Sequence, residues 1–112
     1  MASSDGTVKP AGVGLYFQED GDRVAVNHLI RGGSADRSGL IRPGDLVVGI
    51  DGRDMQGRGV DDMRNAIVGS EGTIVVISFV RPGSDAQAAS NFSVDLVRGS
   101  PDYMAELYGE TD

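Results

Sequence analysis

The residues best suited to chemistry lie near the start of the chain, in Lys9-Pro10-Ala11-Gly12-Val13-Gly14-Leu15-Tyr16-Phe17. A Gly-x-Gly step ahead of an apolar strand turns successive main-chain N–H groups the same way, and such a nest binds an anion, for instance a carboxylate. Lys9, upstream of Gly12, adds positive charge at the same place. The step lacks the third glycine of a dinucleotide fingerprint and leads into a strand where that fingerprint needs a helix, so it is a poor cradle for a pyrophosphate.

Other reactive groups are sparse. The chain has no cysteine and a single histidine, His28, which excludes disulfides, thiolate nucleophiles and cysteine-based metal sites. His28 falls within a strand pattern and reads as an ordinary strand residue. Lys9 is the only lysine, and no Ser-x-x-Lys spacing offers a serine-lysine dyad. Asp51, Asp54, Asp61 and Asp62 cluster locally, yet they and Asp20-Gly21-Asp22 lack the ligand spacing of a calcium loop, so turn and helix-capping roles account for them. Asn91-Phe92-Ser93 matches a glycosylation sequon and reads as chance. With no nucleophile-base pair and no ligand set to assemble, no enzymatic activity, metal or cofactor is expected.

Bulk properties agree. The 112 residues suit one domain, and 39% hydrophobic content supplies one modest core. Ten Lys and Arg against 17 Asp and Glu give a net charge of −7, which argues against a nucleic-acid surface, because neutralising phosphates needs a basic patch. No apolar stretch approaches the ~20 residues that span a bilayer, and the opening MASSDGTVKP has no secretory pattern. A cytoplasmic location is favoured, with the compartment otherwise open.

Positioning falls to short elements punctuated by 17 glycines. Val13 to Glu19 and Arg23 to Ile30 read as a hairpin across Asp20-Gly21-Asp22. Ser34 to Leu40 supports a helix of about two turns, with Ser34 as its N-cap and a glycine near its end. Pro43-Gly44-Asp45 turns the chain into a strand at Leu46 to Ile50, closed by Asp51-Gly52. Val60, Met63 and Ile67 recur at helical spacing in Val60 to Val68, with Asp61 and Asp62 in the first turn and Gly69 at the end. Thr73 to Val80 is a β-branched central strand, 81 to 91 a polar loop, and Phe92 to Val97 a last strand. Beyond Pro101 one or two helical turns form around Tyr103 and Leu107. This divides the chain into a flexible N-terminus (1–6), a domain (7–98) and an acidic C-terminal tail (99–112).

The order of Gly12-Val13-Gly14-Leu15, the hairpin through Val24-Ala25-Val26 and the block GSADRSGLIRPGDLVVGIDG, followed by a helix and Glu71-Gly72-Thr73-Ile74-Val75-Val76, closely resembles a PDZ domain. The resemblance covers about residues 7 to 97. It implies an α+β, mostly β fold: a partly open barrel of five to six short strands with two helices. It further implies a non-catalytic interaction module that captures the free C-terminus of a partner protein by β-strand addition, between the strand at 15–19 and the helix at 60–68.

Carried onto this sequence, the resemblance assigns Lys9, Gly12, Val13, Gly14 and Leu15 to the peptide carboxylate. It assigns Tyr16, Phe17, Gln18, Val60, Met63, Arg64 and Ile67 to the side-chain groove. The apolar pocket of Val13, Leu15, Phe17 and Ile67 implies a partner ending in an apolar residue. Val60, where many family members carry histidine, implies an apolar residue third from the peptide's end in place of Ser or Thr. Arg64 departs from the aliphatic residue usual there. It either recruits an acidic side chain or lies across the groove with its head in water.

The last strand and the Gly12-Val13-Gly14 approach are similar to PDZ modules of C-terminal processing proteases. The alternative reading is therefore a regulatory or substrate-recognising module of a larger protease. A third reading is a structural or self-associating domain whose groove holds its own tail or a neighbour's strand; self-capture through the tail fits poorly because a terminal Asp112 suits an apolar pocket badly. A monomer is expected.

Overall fold

A computed structural model describes residues 9–110 of the chain. The segment 1–6, expected as a flexible terminus, lies outside them, as do Thr7, Val8, Thr111 and Asp112. Eight strands and three helices follow one another among the described residues. They are β1 (Pro10–Ala11), β2 (Leu15–Asp20), β3 (Arg23–Leu29), α1 (Ser34–Ser38), β4 (Leu46–Ile50), β5 (Arg53–Asp54), α2 (Val60–Ile67), β6 (Gly69–Ser70), β7 (Ile74–Arg81), β8 (Ser90–Val97) and α3 (Pro101–Leu107).

The main sheet runs β2-β3-β4-β7-β8, every pair antiparallel, with β5 folded back on β4. It is not closed into a barrel, so β2 and β8 are its edges. A separate ribbon pairs β1 with β6, Pro10 opposite Ser70 and Ala11 opposite Gly69.

Alternation decides which side chains enter the core. In β7, Val75, Ile77 and Phe79 are fully buried, and they face Leu96, Val94 and Phe92 across β8. Phe79 and Phe92 stack with centroids 5.4 Å apart. Met63 and Ile67 of α2 and Ala35 of α1 complete the same cluster. An ion pair braces its margin: Asp45, 1% exposed, accepts from Arg81 Nε at 2.8 Å and Nη2 at 2.9 Å, and from the Arg42 N–H at 2.8 Å. Both oxygens of that buried carboxylate are thereby given donors.

Three local expectations need correction. The N-cap of α1 is Gly33, because Ser34 is 5% exposed and its Oγ instead accepts the Val97 N–H at 3.0 Å. The helix also stops sooner than two turns, at Ser38, where Gly39 takes the left-handed conformation at φ 69°. Finally, α2 ends at Ile67 through an extended Val68, and Gly69 enters β6 without ending the helix as a left-handed cap.

The stretch set apart as an acidic tail is folded as far as Glu110. Ser100 caps α3 by accepting the Tyr103 N–H at 3.1 Å, Pro101 occupies its first turn, and Met104 is buried at 1% exposure. Arg37 on α1 holds Glu110 through two bonds of 2.8 and 2.6 Å and lies over the Tyr108 ring.

Candidate functional site

The segment 12–14 is held by its carbonyls. Gly12 O accepts from the Gly99 N–H, Val13 O from the Ala35 N–H and Gly14 O from the Ile30 N–H, each at 2.9 Å. The acceptors of the loop are thus spent on the body of the domain. The N–H groups of Val13 and Gly14 donate to no acceptor among the described residues. Gly14 sits at φ 79°, which favours glycine, and a Cβ there would crowd Gly33 Cα at 3.3 Å.

The alternation of antiparallel pairing continues this pattern into β2. Next to the Ile30 N–H bond to Gly14 O, the pair Leu15–Leu29 falls at a position where both residues turn their polar groups away from each other. The N–H and C=O of Leu15 therefore face the open edge of β2. A bulge follows between Tyr16 and Phe17, where Tyr16 opposes His28 and Phe17 opposes Val26.

A groove of about 350 Å³ runs along this edge toward α2. Of the residues singled out in the sequence, Lys9, Gly12, Val13, Gly14, Leu15, Tyr16, Phe17, Arg64 and Ile67 line it. Gln18, Val60 and Met63 do not: Gln18 is exposed farther along β2, Val60 packs on the core, and Met63 is 1% exposed inside it. Met63 and Ile67 share one stripe of α2, but only Ile67 lies far enough along the helix to floor the groove as well as enter the core. Arg64 stands on the wall with its side chain 61% exposed, 3.4 Å from Asp61. His28 is exposed and stacks on Tyr16 with centroids 4.3 Å apart, which makes it a surface strand residue.

Sequence reasoning missed Ile30, Val68, Glu71, Gly99, Ser100 and Pro101, which also line the groove. The Ser100-Pro101 step carries a helix-start signal, but only the Gly99 bond to Gly12 places that start beside the glycine loop. Glu71 is half-buried, and its N–H donates to Lys9 O at 2.9 Å, so one acidic group joins Lys9 and Arg64 in the wall. No group of three potential metal ligands exists among the described residues.

The family model of the PDZ domain matches residues 3–79. The chain belongs to the PDZ domain family. Members of this family are peptide-binding interaction modules, themselves non-catalytic. This PDZ domain is 32% identical over 71 residues to Disks large homolog 2 of Danio rerio, a stretch covering 63% of the chain and 8% of that relative. It is 31% identical over 74 residues to a probable CtpA-like serine protease of Staphylococcus aureus, covering 66% of the chain and 14% of the relative. The chain thus spans a small part of the curated relatives it matches.

Among solved structures, the PDZ domain of a carboxy-terminal protease from Vibrio cholerae, in complex with peptide, superposes with a TM-score of 0.71 at 28% identity. That likeness covers 80% of this chain and 95% of the other.

Proposed function

We propose that this PDZ domain binds the free C-terminus of a partner protein as an added strand on β2, with residues 7–98 as the binding unit and α3 docked upon it. The observation that carries this reading is the loop at 12–14, whose carbonyls are all engaged inward while the N–H groups of Val13 and Gly14 have no acceptor among the described residues. Leu15 continues the donor row along the edge, and Lys9 adds charge at the carboxylate end. The last side chain of the peptide enters between Leu15, Phe17 and Ile67. That apolar lining selects a terminal Val, Leu, Ile or Phe, whose burial is worth roughly 1.5–3 kcal/mol. The domain acts as a monomer.

The test is an NMR titration with peptides of varied last and third-from-last residue, each paired with its C-terminally amidated form. Free-acid peptides should shift the amides of residues 12–17 and 60–67, and amidated ones should not. Absence of binding by any free-acid peptide would overturn the reading.

The likeness to the Vibrio cholerae protease module favours a second reading, in which the same groove recognises substrate for a larger processing protease. The coding sequence that flanks the chain decides it: a protease domain in the same reading frame supports it, and a different neighbour removes it.

A further inference from the structure

We propose that Arg98, which lies beyond the residues matched by the family model, is a positioning residue that fixes Ile67 and so sets the depth of the groove for the ligand's last side chain. This rests on the peptide-binding reading above.

The last carbonyls of a helix have no partner within it, and a cation placed there is favoured by the helix dipole. At the end of α2 that partner is Arg98, whose Nε donates to Ile67 O at 2.7 Å. The same guanidinium donates through Nη1 to Thr73 Oγ1 at 3.0 Å and Ile74 O at 3.4 Å, and Nη2 lies 3.9 Å from Asp51 Oδ2. Its side chain is only 12% exposed. One planar group therefore joins the end of α2 to the start of β7 and the turn after β4.

Gly69 makes room for it. A Cβ at Gly69 would lie 2.7 Å from Arg98 Cζ and Nε, while the backbone there is not left-handed. Glycine at this position thus leaves the space that the Arg98 guanidinium occupies, and any side chain there would displace it. The main chain at 98–99 works the same way: Arg98 N–H donates to Thr73 O, Gly72 N–H donates to Arg98 O, and Gly99 N–H reaches Gly12 O. A single segment thereby holds both the floor of the groove and its glycine loop.

Arg98→Lys keeps the charge but cannot reach these acceptors together, since an ammonium lacks the planar fork. Gly69→Ala leaves Arg98 in place chemically but pushes it off Ile67 O. Both variants should weaken free-acid peptides severalfold, through the displaced Ile67 side chain and not through the energy of the Arg98 bond itself, which is internal to the protein. Both should also change the affinity ratio between peptides ending in Val and in Phe. The double variant should change that ratio no further than either single one, because both act on the same contact. In the free protein, each should shift the Ile67 δ-methyl resonance and speed hydrogen exchange at the Val68 amide.

Equal weakening of all peptides in step with thermal stability, with the Val/Phe ratio unchanged, would show a merely structural Arg98 and overturn the proposal. If the unaltered protein binds no free-acid peptide, the function reading fails first. The free-protein signals then still decide the positioning claim: an unmoved Ile67 methyl in both variants overturns it.

Discussion

The Gly99 N–H donates to Gly12 O at 2.9 Å, so the loop that faces the groove is tied to residues that follow the last strand. With Ala35 and Ile30 holding the next two carbonyls, the loop is ordered before any ligand arrives. Preorganisation of this kind lowers the entropic cost of binding.

Met104→Ala tests how much of that order depends on α3. Met104 is 1% exposed and is the buried anchor of the helix that begins directly after Ser100. Its truncation should cost about 2–5 kcal/mol in urea denaturation. Hydrogen exchange at the Gly99 amide should accelerate by more than global destabilisation explains. A slow Gly99 amide in the variant would mean that the loop is held without α3.

The two loop glycines should part company. Gly14 lies at φ 79°, and a methyl added there would stand 3.3 Å from Gly33 Cα, whereas Gly12 has ordinary backbone angles and open space around such a methyl. Gly14→Ala should destabilise the fold by about 1 kcal/mol or more, through left-handed strain and contact with Gly33. It should also abolish free-acid peptide shifts at residues 12–17. Gly12→Ala should leave stability within about 0.5 kcal/mol. Equal effects on melting would show that conformation at Gly14 is not what the loop requires.

Most of the fold was legible because its elements are specified locally. The β-branched alternation of Ile74 to Arg81, the Asp20-Gly21-Asp22 turn and the 60, 63, 67 stripe each act over a few residues, and each of these elements formed within a residue or two of its expected bounds. The site was legible in its loop and less so in its walls. Met63 and Ile67 present the same pattern in sequence and both enter the core, and only the position of Ile67 nearer the glycine loop lets it line the groove as well. Ser34 has the residue type of a cap, but burial beside β8 gives its hydroxyl a partner from Val97. The roles of Gly69, Arg98 and Pro101 depend on contacts distant in sequence, which no local pattern carries.

The pair Arg37–Glu110 makes the docking of the end of α3 dependent on pH. Hydrogen bonding to Arg37 holds the Glu110 carboxyl below its usual value of 4.5, partly opposed by desolvation. A depressed folded value means that the pair's contribution is fully present above about pH 4.5 and is lost as pH falls through that lower value. The carboxyl carbon shift of Glu110 should therefore titrate below 4.5, and amides 108–110 should exchange faster only in that acidic range. Glu110→Gln should remove the acid-dependent change at these amides while leaving the rest of the domain unaltered. A Glu110 midpoint at or above 4.5 would show that the pair does not persist in solution.

Val60 stands at the first position of α2, half-buried against the core, where its side chain offers a passing peptide no hydrogen bond. A peptide that extends beyond the groove to the start of α2 is expected to carry an apolar residue third from its end. Val60→His places a ring N–H at the same point, and one hydrogen bond to a hydroxyl is worth about 0.5–1.5 kcal/mol. The variant should accordingly prefer Ser or Thr at that peptide position by a few-fold to about tenfold. The proposed preference for an apolar last residue, which rests on Leu15, Phe17 and Ile67 and not on Val60, should stay as it is. Fluorescence anisotropy on a peptide set varied at both positions separates the two effects. An unchanged preference at the third position would mean that the peptide leaves the groove before it reaches the start of α2, and the added strand would then be confined to Leu15 and Phe17.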